Sequence, residues 1–181
     1  MHKRIILAGP GASGKDHMRK LLESRGFKYA VSYTTRPPRP GEIEGVDYYF
    51  LTKEQCQQMK DDGLFYEVID FNGWSYGTSL AQFYSDDVFI MTPSGLEHLS
   101  KEDRKTSLVM FFDIDESIRK ERLEARVMPG HSVEARLQAD RELFTGFTNG
   151  DFIKVVDALN FYKLVDTRQK GFLHCGKNTK L

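Results

Sequence analysis

The stretch Gly9-Pro10-Gly11-Ala12-Ser13-Gly14-Lys15 lies between an apolar run, Ile5-Ile6-Leu7-Ala8, and a segment over residues 15–25 whose Met18, Leu21 and Leu22 fall on one helical face. Its glycines let successive backbone N–H groups turn inward around an anion. The start of the helix adds positive potential at the same place. Lys15 then reaches the outer phosphates of a nucleotide as a point charge. A strand, a glycine-rich loop and a helix in that order form the context that a phosphate-binding loop, or P-loop, requires. Gly9, Gly11, Ala12, Ser13, Gly14 and Lys15 are therefore read as a phosphate cradle. The competing reading is a glycine-rich strand-to-helix turn with an incidental lysine.

The next position departs from the motif. A Ser or Thr hydroxyl is expected there as a magnesium ligand, and residue 16 is Asp. An acidic residue in a first helical turn also complements the helix dipole without any metal. A carboxylate facing phosphates, however, needs a cation between them, and magnesium accepts carboxylate oxygens readily. Asp16 is read as part of a metal shell.

Working outward, the chain alternates. Residues 88–91, 108–112 and 152–156 read as further strands. Residues 94–99, 116–126, 133–144 and 158–165 read as helices. Alternation at both ends predicts an α/β fold with a parallel sheet flanked by helices. Between them, 33–76 has a different character. Arg36-Pro37-Pro38-Arg39-Pro40-Gly41 forbids regular structure, because three prolines remove donors and fix the backbone. Thr52-Lys53-Glu54-Gln55 is a capping-box pattern opening a helix that ends near Gly63. Residues 64–71, Asn72-Gly73 and residues 74–76 read as a hairpin with a two-residue turn. This region is read as a lobe inserted into the α/β scheme.

The 181 residues carry 26 Lys+Arg and 26 Asp+Glu, so no global field draws the chain to nucleic acid. With 40% hydrophobic residues there is enough apolar material for a core, which excludes global disorder. Cys56 and Cys175 are too far apart in sequence for a metal box or a disulfide framework, and fit a reducing compartment. The apolar run after the basic start is broken at Gly9, too early for a signal peptide, and no window is long enough for a membrane helix. A soluble, cytoplasmic protein with no nucleic-acid or membrane partner is expected.

A second constellation adds specificity. Ser32-Tyr33-Thr34-Thr35-Arg36-Pro37-Pro38-Arg39-Pro40-Gly41-Glu42 is followed by Gly45-Val46-Asp47-Tyr48, Phe65-Tyr66-Glu67, Phe71-Asn72-Gly73 and Tyr76-Gly77-Thr78-Ser79. With the P-loop, this resembles the guanylate kinase family, closely over residues 3–80 and more loosely to about 167. The residues also make sense without the resemblance. Arg36 and Arg39 sit on a proline-stiffened loop and can fork onto a phosphate at little ordering cost. Tyr48 and Tyr76 bring hydroxyls suited to the same phosphate. An ionised Glu67 accepts two hydrogen bonds, matching the N1–H and N2 amino donors of guanine. Ser32 and Thr78 offer hydroxyls for the rest of the base edge. Solvated arginines, a surface glutamate and packed tyrosines are the plain alternatives.

The resemblance implies a P-loop NTPase fold with a monophosphate-binding lobe and a helical lid, drawn here as core (1–32, 80–120, 147–181), lobe (33–79) and lid (121–146). It implies ATP on Gly9, Gly11, Ala12, Ser13, Gly14, Lys15 and Asp16. It implies GMP on Ser32, Arg36, Arg39, Glu42, Tyr48, Glu67, Tyr76 and Thr78. Lid arginines, matched by Arg122, Arg126 and Arg136, would join Lys15 and Arg36 in catalysis. A solvated charged helix is the alternative for Arg122 and Arg126, and Val127 stands where the family usually has Gly. The family also places an Asp just after the strand at 88–91, where this chain has Thr92. Asp16 and Thr92 thus look like an exchange that keeps one carboxylate and one hydroxyl near a magnesium ion. Asp113 and Asp115 are rival carboxylates, with Asp115 also suited to cap the helix before Glu116.

The function expected is transfer of the γ-phosphoryl of ATP to GMP or dGMP with magnesium. Two other expectations remain open: a kinase for another deoxynucleoside monophosphate, and a phosphopeptide-binding module of the same fold that has lost catalysis.

Overall fold

A computed structural model describes residues 4–125, 132–147 and 152–156. Arg4–Ala8 is β1 and Lys15–Glu23 is α1. Two short strands follow, Tyr33–Thr34 (β2) and Tyr49–Phe50 (β3). Lys53–Asp61 is α2, and its capping box is formed: the Thr52 hydroxyl accepts from the Gln55 N–H while the Gln55 side chain accepts from the Thr52 N–H. Phe65–Phe71 (β4) and Trp74–Ser79 (β5) make the expected hairpin. Asn72 and Gly73 both take positive φ, 51° and 77°, the turn geometry whose twist matches the flanking strands.

Leu80–Ser85 (α3) follows directly on β5, and Ser79 is at once the last residue of that strand and the helix cap. Then come Val88–Ile90 (β6), Pro93–Glu97 (α4), Lys101–Thr106 (α5), Ser107–Phe112 (β7), Glu116–Glu124 (α6), Val133–Leu143 (α7) and Ile153–Val155 (β8). Sequence periodicity does not predict α3 and α5. Each has only six residues, too few to show an amphipathic repeat. The expected helix at 158–165 and the Pro129-Gly130 break lie outside the described residues, as do Arg126, Val127 and Cys175.

The main sheet has the order β6-β1-β7-β8 and is parallel throughout. Both faces are covered, which explains why its strands read as continuous apolar runs. On β1, Leu7 packs with Met18 and Leu22 of α1, while Ile6 and Ala8 face the other way, among Phe83, Phe89, Val109 and Phe111. A second sheet, β3-β2-β5-β4, is built from the segment between residues 33 and 79. Here β4 and β5 pair antiparallel, with Glu67 opposite Thr78 and an irregularity between Phe65 and Glu67. Among the described residues no helix is long and apolar enough to cross a membrane.

Candidate active site

The P-loop joins β1 to α1, and its backbone turns on positive φ at Ala12 (58°) and Gly14 (99°). Lys15 folds back over the loop. Its Nζ donates to the carbonyls of Gly9 (2.5 Å) and Pro10 (2.8 Å). Withdrawal from water, then the neighbouring Arg136 charge, lowers the Lys15 ammonium to about 8, while Asp140 and Asp16 pull the other way. The Asp16 side chain is 74% exposed and meets Arg19 Nε at 3.5 Å.

The same cavity, about 300 Å³, is lined by the P-loop, Lys15 and Asp16 and by Ser32, Arg36, Arg39, Tyr48, Glu67 and Tyr76. Arg36 is buried on the proline-rich loop, with its guanidinium Nη2 held by both Glu42 oxygens at 2.8 and 2.9 Å. Glu42 also accepts from the Arg39 N–H at 2.7 Å. Burial, then repulsion from Arg36, lowers the Arg39 guanidinium, and its buried Nε has no hydrogen-bond partner among the described residues. Burial, then Tyr76, pushes the Tyr48 hydroxyl up to about 12.

Glu67 is 6% exposed and accepts from the Thr78 hydroxyl at 2.9 Å. Burial lifts its carboxyl to about 7, against the opposing pull of that hydrogen bond and of His98. Three residues expected at the site do not line the cavity. Thr78 sits behind Glu67, Glu42 behind Arg36, and the exposed Arg122 donates to the Ala12 carbonyl at 3.0 Å from outside the loop. Thr92 does line it, but its hydroxyl is already engaged, accepting from the Gly95 N–H at 3.1 Å as the cap of α4. The rival acids are also occupied. Asp113 pairs with Lys154 at 2.6 Å, and Asp115 caps α6 as expected.

Sequence reasoning missed Asp140. This residue of α7 is 1% exposed, lines the cavity and accepts from the Gly11 N–H at 2.9 Å. Its four-residue spacing from Arg136 is visible in the sequence. Nothing in the sequence, though, marks this helix face as the one buried against the P-loop.

Residues 1–107 match the protein family described as guanylate kinase. A guanylate kinase of Aster yellows witches'-broom phytoplasma (strain AYWB) is 38% identical over 116 residues, 59% of this chain and 55% of that protein. One of Legionella pneumophila (strain Lens) is 50% identical over 80 residues, 42% of this chain and 38% of that protein. The chain thus spans about half or less of the length of these curated relatives. The crystal structure of guanylate kinase from Anaplasma phagocytophilum shares the fold, with a TM-score of 0.68 over 96% of this chain and 88% of that one, at 22% identity.

Proposed function

Because the chain belongs to the guanylate kinase family, we propose that it is a nucleoside monophosphate kinase moving the γ-phosphoryl group of ATP to GMP or dGMP. The observation that carries this reading is a single cavity lined both by the P-loop and by the Arg36, Arg39, Tyr48, Tyr76 and Glu67 group. The buried Arg39 Nε, without a partner among the described residues, is a donor suited to an anion.

On this reading Glu67, once ionised, accepts from guanine N1–H and the N2 amino group. Adenine, with an acceptor at N1 and no N2 amino group, would leave the carboxylate facing a lone pair. Thr78 orients Glu67, and Ser32 adds a hydroxyl at the base edge. Arg36 and Arg39, with the Tyr48 and Tyr76 hydroxyls, grip the monophosphate, and Glu42 fixes the Arg36 fork. Gly9, Gly11, Ala12, Ser13 and Gly14 cradle the ATP phosphates, and Lys15 and Arg136 neutralise charge that develops on the transferred group. Arg122 and Arg126 belong to the same proposed lid, over residues 121–146, as residues 33–79 belong to the monophosphate lobe. Catalysis is alignment of two anionic substrates plus charge stabilisation, and closure around them excludes water.

The exposed Asp16 carboxylate on the cavity wall suits magnesium, which takes one or two protein carboxylates and fills its shell with phosphate oxygens and water. Such an ion would neutralise charge on the outer phosphates. Thr92 is the proposed neutral neighbour. The buried Cys56 thiol supports a reducing, cytoplasmic setting.

The test is a coupled assay of ADP formation with ATP, magnesium and a panel of nucleoside monophosphates. Turnover with GMP and dGMP, at a kcat/KM at least about a hundredfold above AMP, CMP and UMP, is expected. Equal turnover across the panel, or none, refutes the assignment.

A further inference from the structure

Three polar groups from three parts of the chain converge on one buried side chain. Asp140 Oδ2 accepts from the Gly11 N–H at 2.9 Å and from Arg119 Nη1 at 3.3 Å, while Oδ1 lies 3.3 Å from Arg136 Nε. Arg119 is itself 5% exposed, on α6. Arg136 sits one helical turn before Asp140 on α7, and its guanidinium lies 5.2 Å above the ring of Phe71, at the end of β4. Lys15 is the third cation in the group, and it feels the charges of Arg119, Arg136 and Asp140.

The approach leaves no room for a side chain at position 11 unless Arg136 and Asp140 shift. A Cβ on Gly11 would stand 2.9 Å from Arg136 Nε and 3.0 Å from Asp140 Oδ2. A side chain at position 11 would therefore drive both groups away from the loop. Gly11 serves here as a gap through which α7 reaches the P-loop backbone.

A carboxylate beside a phosphate site is at first sight unfavourable, since it repels the ligand. Its partners show what offsets this. Without Asp140, Arg119, Arg136 and Lys15 would repel one another. The partly exposed Arg136 would be drawn toward solvent, where a guanidinium is well hydrated. With Asp140, Arg136 is held between the P-loop and Phe71, beside the cavity. The hydrogen bond to Gly11 also fixes one peptide of the loop itself. Asp140 Oδ1 has the Arg136 charge nearby but, among the described residues, no hydrogen bond of good geometry, so the carboxylate restrains the arginine without saturating it. The arginine keeps donors for a second anion.

We propose that Asp140 is a positioning residue for phosphoryl transfer: it holds Arg136 against the P-loop, so that the arginine faces the transferred phosphoryl group before the nucleotides arrive. The proposal rests on the kinase reading for the identity of the reaction, but not for the tie between Asp140 and Arg136. Arg136 stabilises charge and Asp140 acts only through it. The effect of Asp140 should therefore fall on kcat, and should vanish when Arg136 is absent.

Two measurements test this. In the first, rates with ATP and GMP are compared for wild type, Asp140→Asn, Arg136→Ala and the double variant, each well below its own melting temperature. Asp140→Asn should lower kcat about tenfold or more with KM for GMP changed less than about twofold, and should cost nothing further in the Arg136→Ala background. Multiplicative losses, or an unchanged kcat with only a lowered melting temperature, would show a structural tie and overturn the proposal. The second needs no turnover. The Nε–H group of Arg136, assigned by the disappearance of its resonance in Arg136→Ala, should be rigid on the ps–ns timescale in the ligand-free wild type, with an NMR order parameter of about 0.8, and mobile, below about 0.6, in Asp140→Asn. A mobile Arg136 side chain in the wild type overturns the proposal even if Asp140→Asn does not fold. An inactive wild type whose Arg136 is rigid only while Asp140 is present would sink the kinase reading while supporting the tie.

Discussion

Thr78 and Glu67 stand directly opposite each other on β5 and β4, and the threonine hydroxyl donates to the carboxylate at 2.9 Å. Both are almost fully withdrawn from water, so the carboxylate has lost its hydration and gained in exchange only hydrogen bonds from the Thr78 hydroxyl and backbone and the weaker pull of His98. That imbalance is why its proton is held to about 7, and why the group is poised to change state near neutrality.

If Glu67 reads guanine, only its ionised form accepts two hydrogen bonds from the base. Affinity for GMP should fall as pH drops below about 7, and below about 6 protonation of the GMP phosphate itself steepens the fall. Calorimetric titrations of GMP into wild type and Glu67→Gln over that range separate the two contributions. Glu67→Gln should bind GMP weakly and keep only the phosphate part of the slope, and parallel profiles for wild type and variant would refute the role.

The same group affects the stability of the ligand-free protein. Its folded value, about 7, lies above its ordinary value of 4.5. The contribution is therefore fully favourable below about 4.5 and is lost as pH rises through about 7, a change on the order of 3 kcal/mol. Other groups titrate in this window, so the informative quantity is the difference between wild type and Glu67→Gln. Wild type should lose melting temperature relative to the variant as pH rises across it, and parallel curves would contradict the burial argument.

Glu42 is expected to act through Arg36. Glu42→Gln keeps an acceptor but removes the charge that holds the Arg36 fork and reduces the two-oxygen grip to one. KM for GMP should rise by about tenfold while KM for ATP stays within about twofold. Arg36→Lys should be the more damaging change, because an ammonium cannot fork. Equal effects on both substrates would show that the loop is only structural.

Asp16 and Thr92 give a reciprocal test. Asp16→Ser should reduce the dependence of ATP affinity on magnesium, by on the order of tenfold at low salt for so exposed a carboxylate. Thr92→Asp should be tolerated, since Asp caps a helix about as well as Thr and can still accept from the Gly95 N–H. The double variant should therefore recover part of the magnesium dependence without loss of melting temperature. No recovery would separate the two positions.

The strands of the main sheet, the P-loop and the Asn72-Gly73 hairpin were legible because each depends on local chemistry: apolar runs, a glycine pattern, and residues that tolerate positive φ. The helix over 80–85 left a trace in Ser79 and Gln82, whose capping box is formed, but it is too short for periodicity to register. The arginines and Glu67 could be singled out from the sequence. What stands behind them could not. That Glu42 braces Arg36, and that Asp140 braces Arg136 and Gly11, depends on contacts across gaps of 6, 4 and 129 residues that only folding selects.

Trp74 is the only tryptophan in the chain, and it pairs across the hairpin turn with Phe71, the ring beneath Arg136. Its indole therefore sits one residue pair from the meeting point of β4 and α7. Tryptophan emission responds to small changes in nearby charge and polarity. The protein thus carries its own optical label at the junction that nucleotide binding would disturb, and rapid-mixing fluorescence can time that event without any added dye.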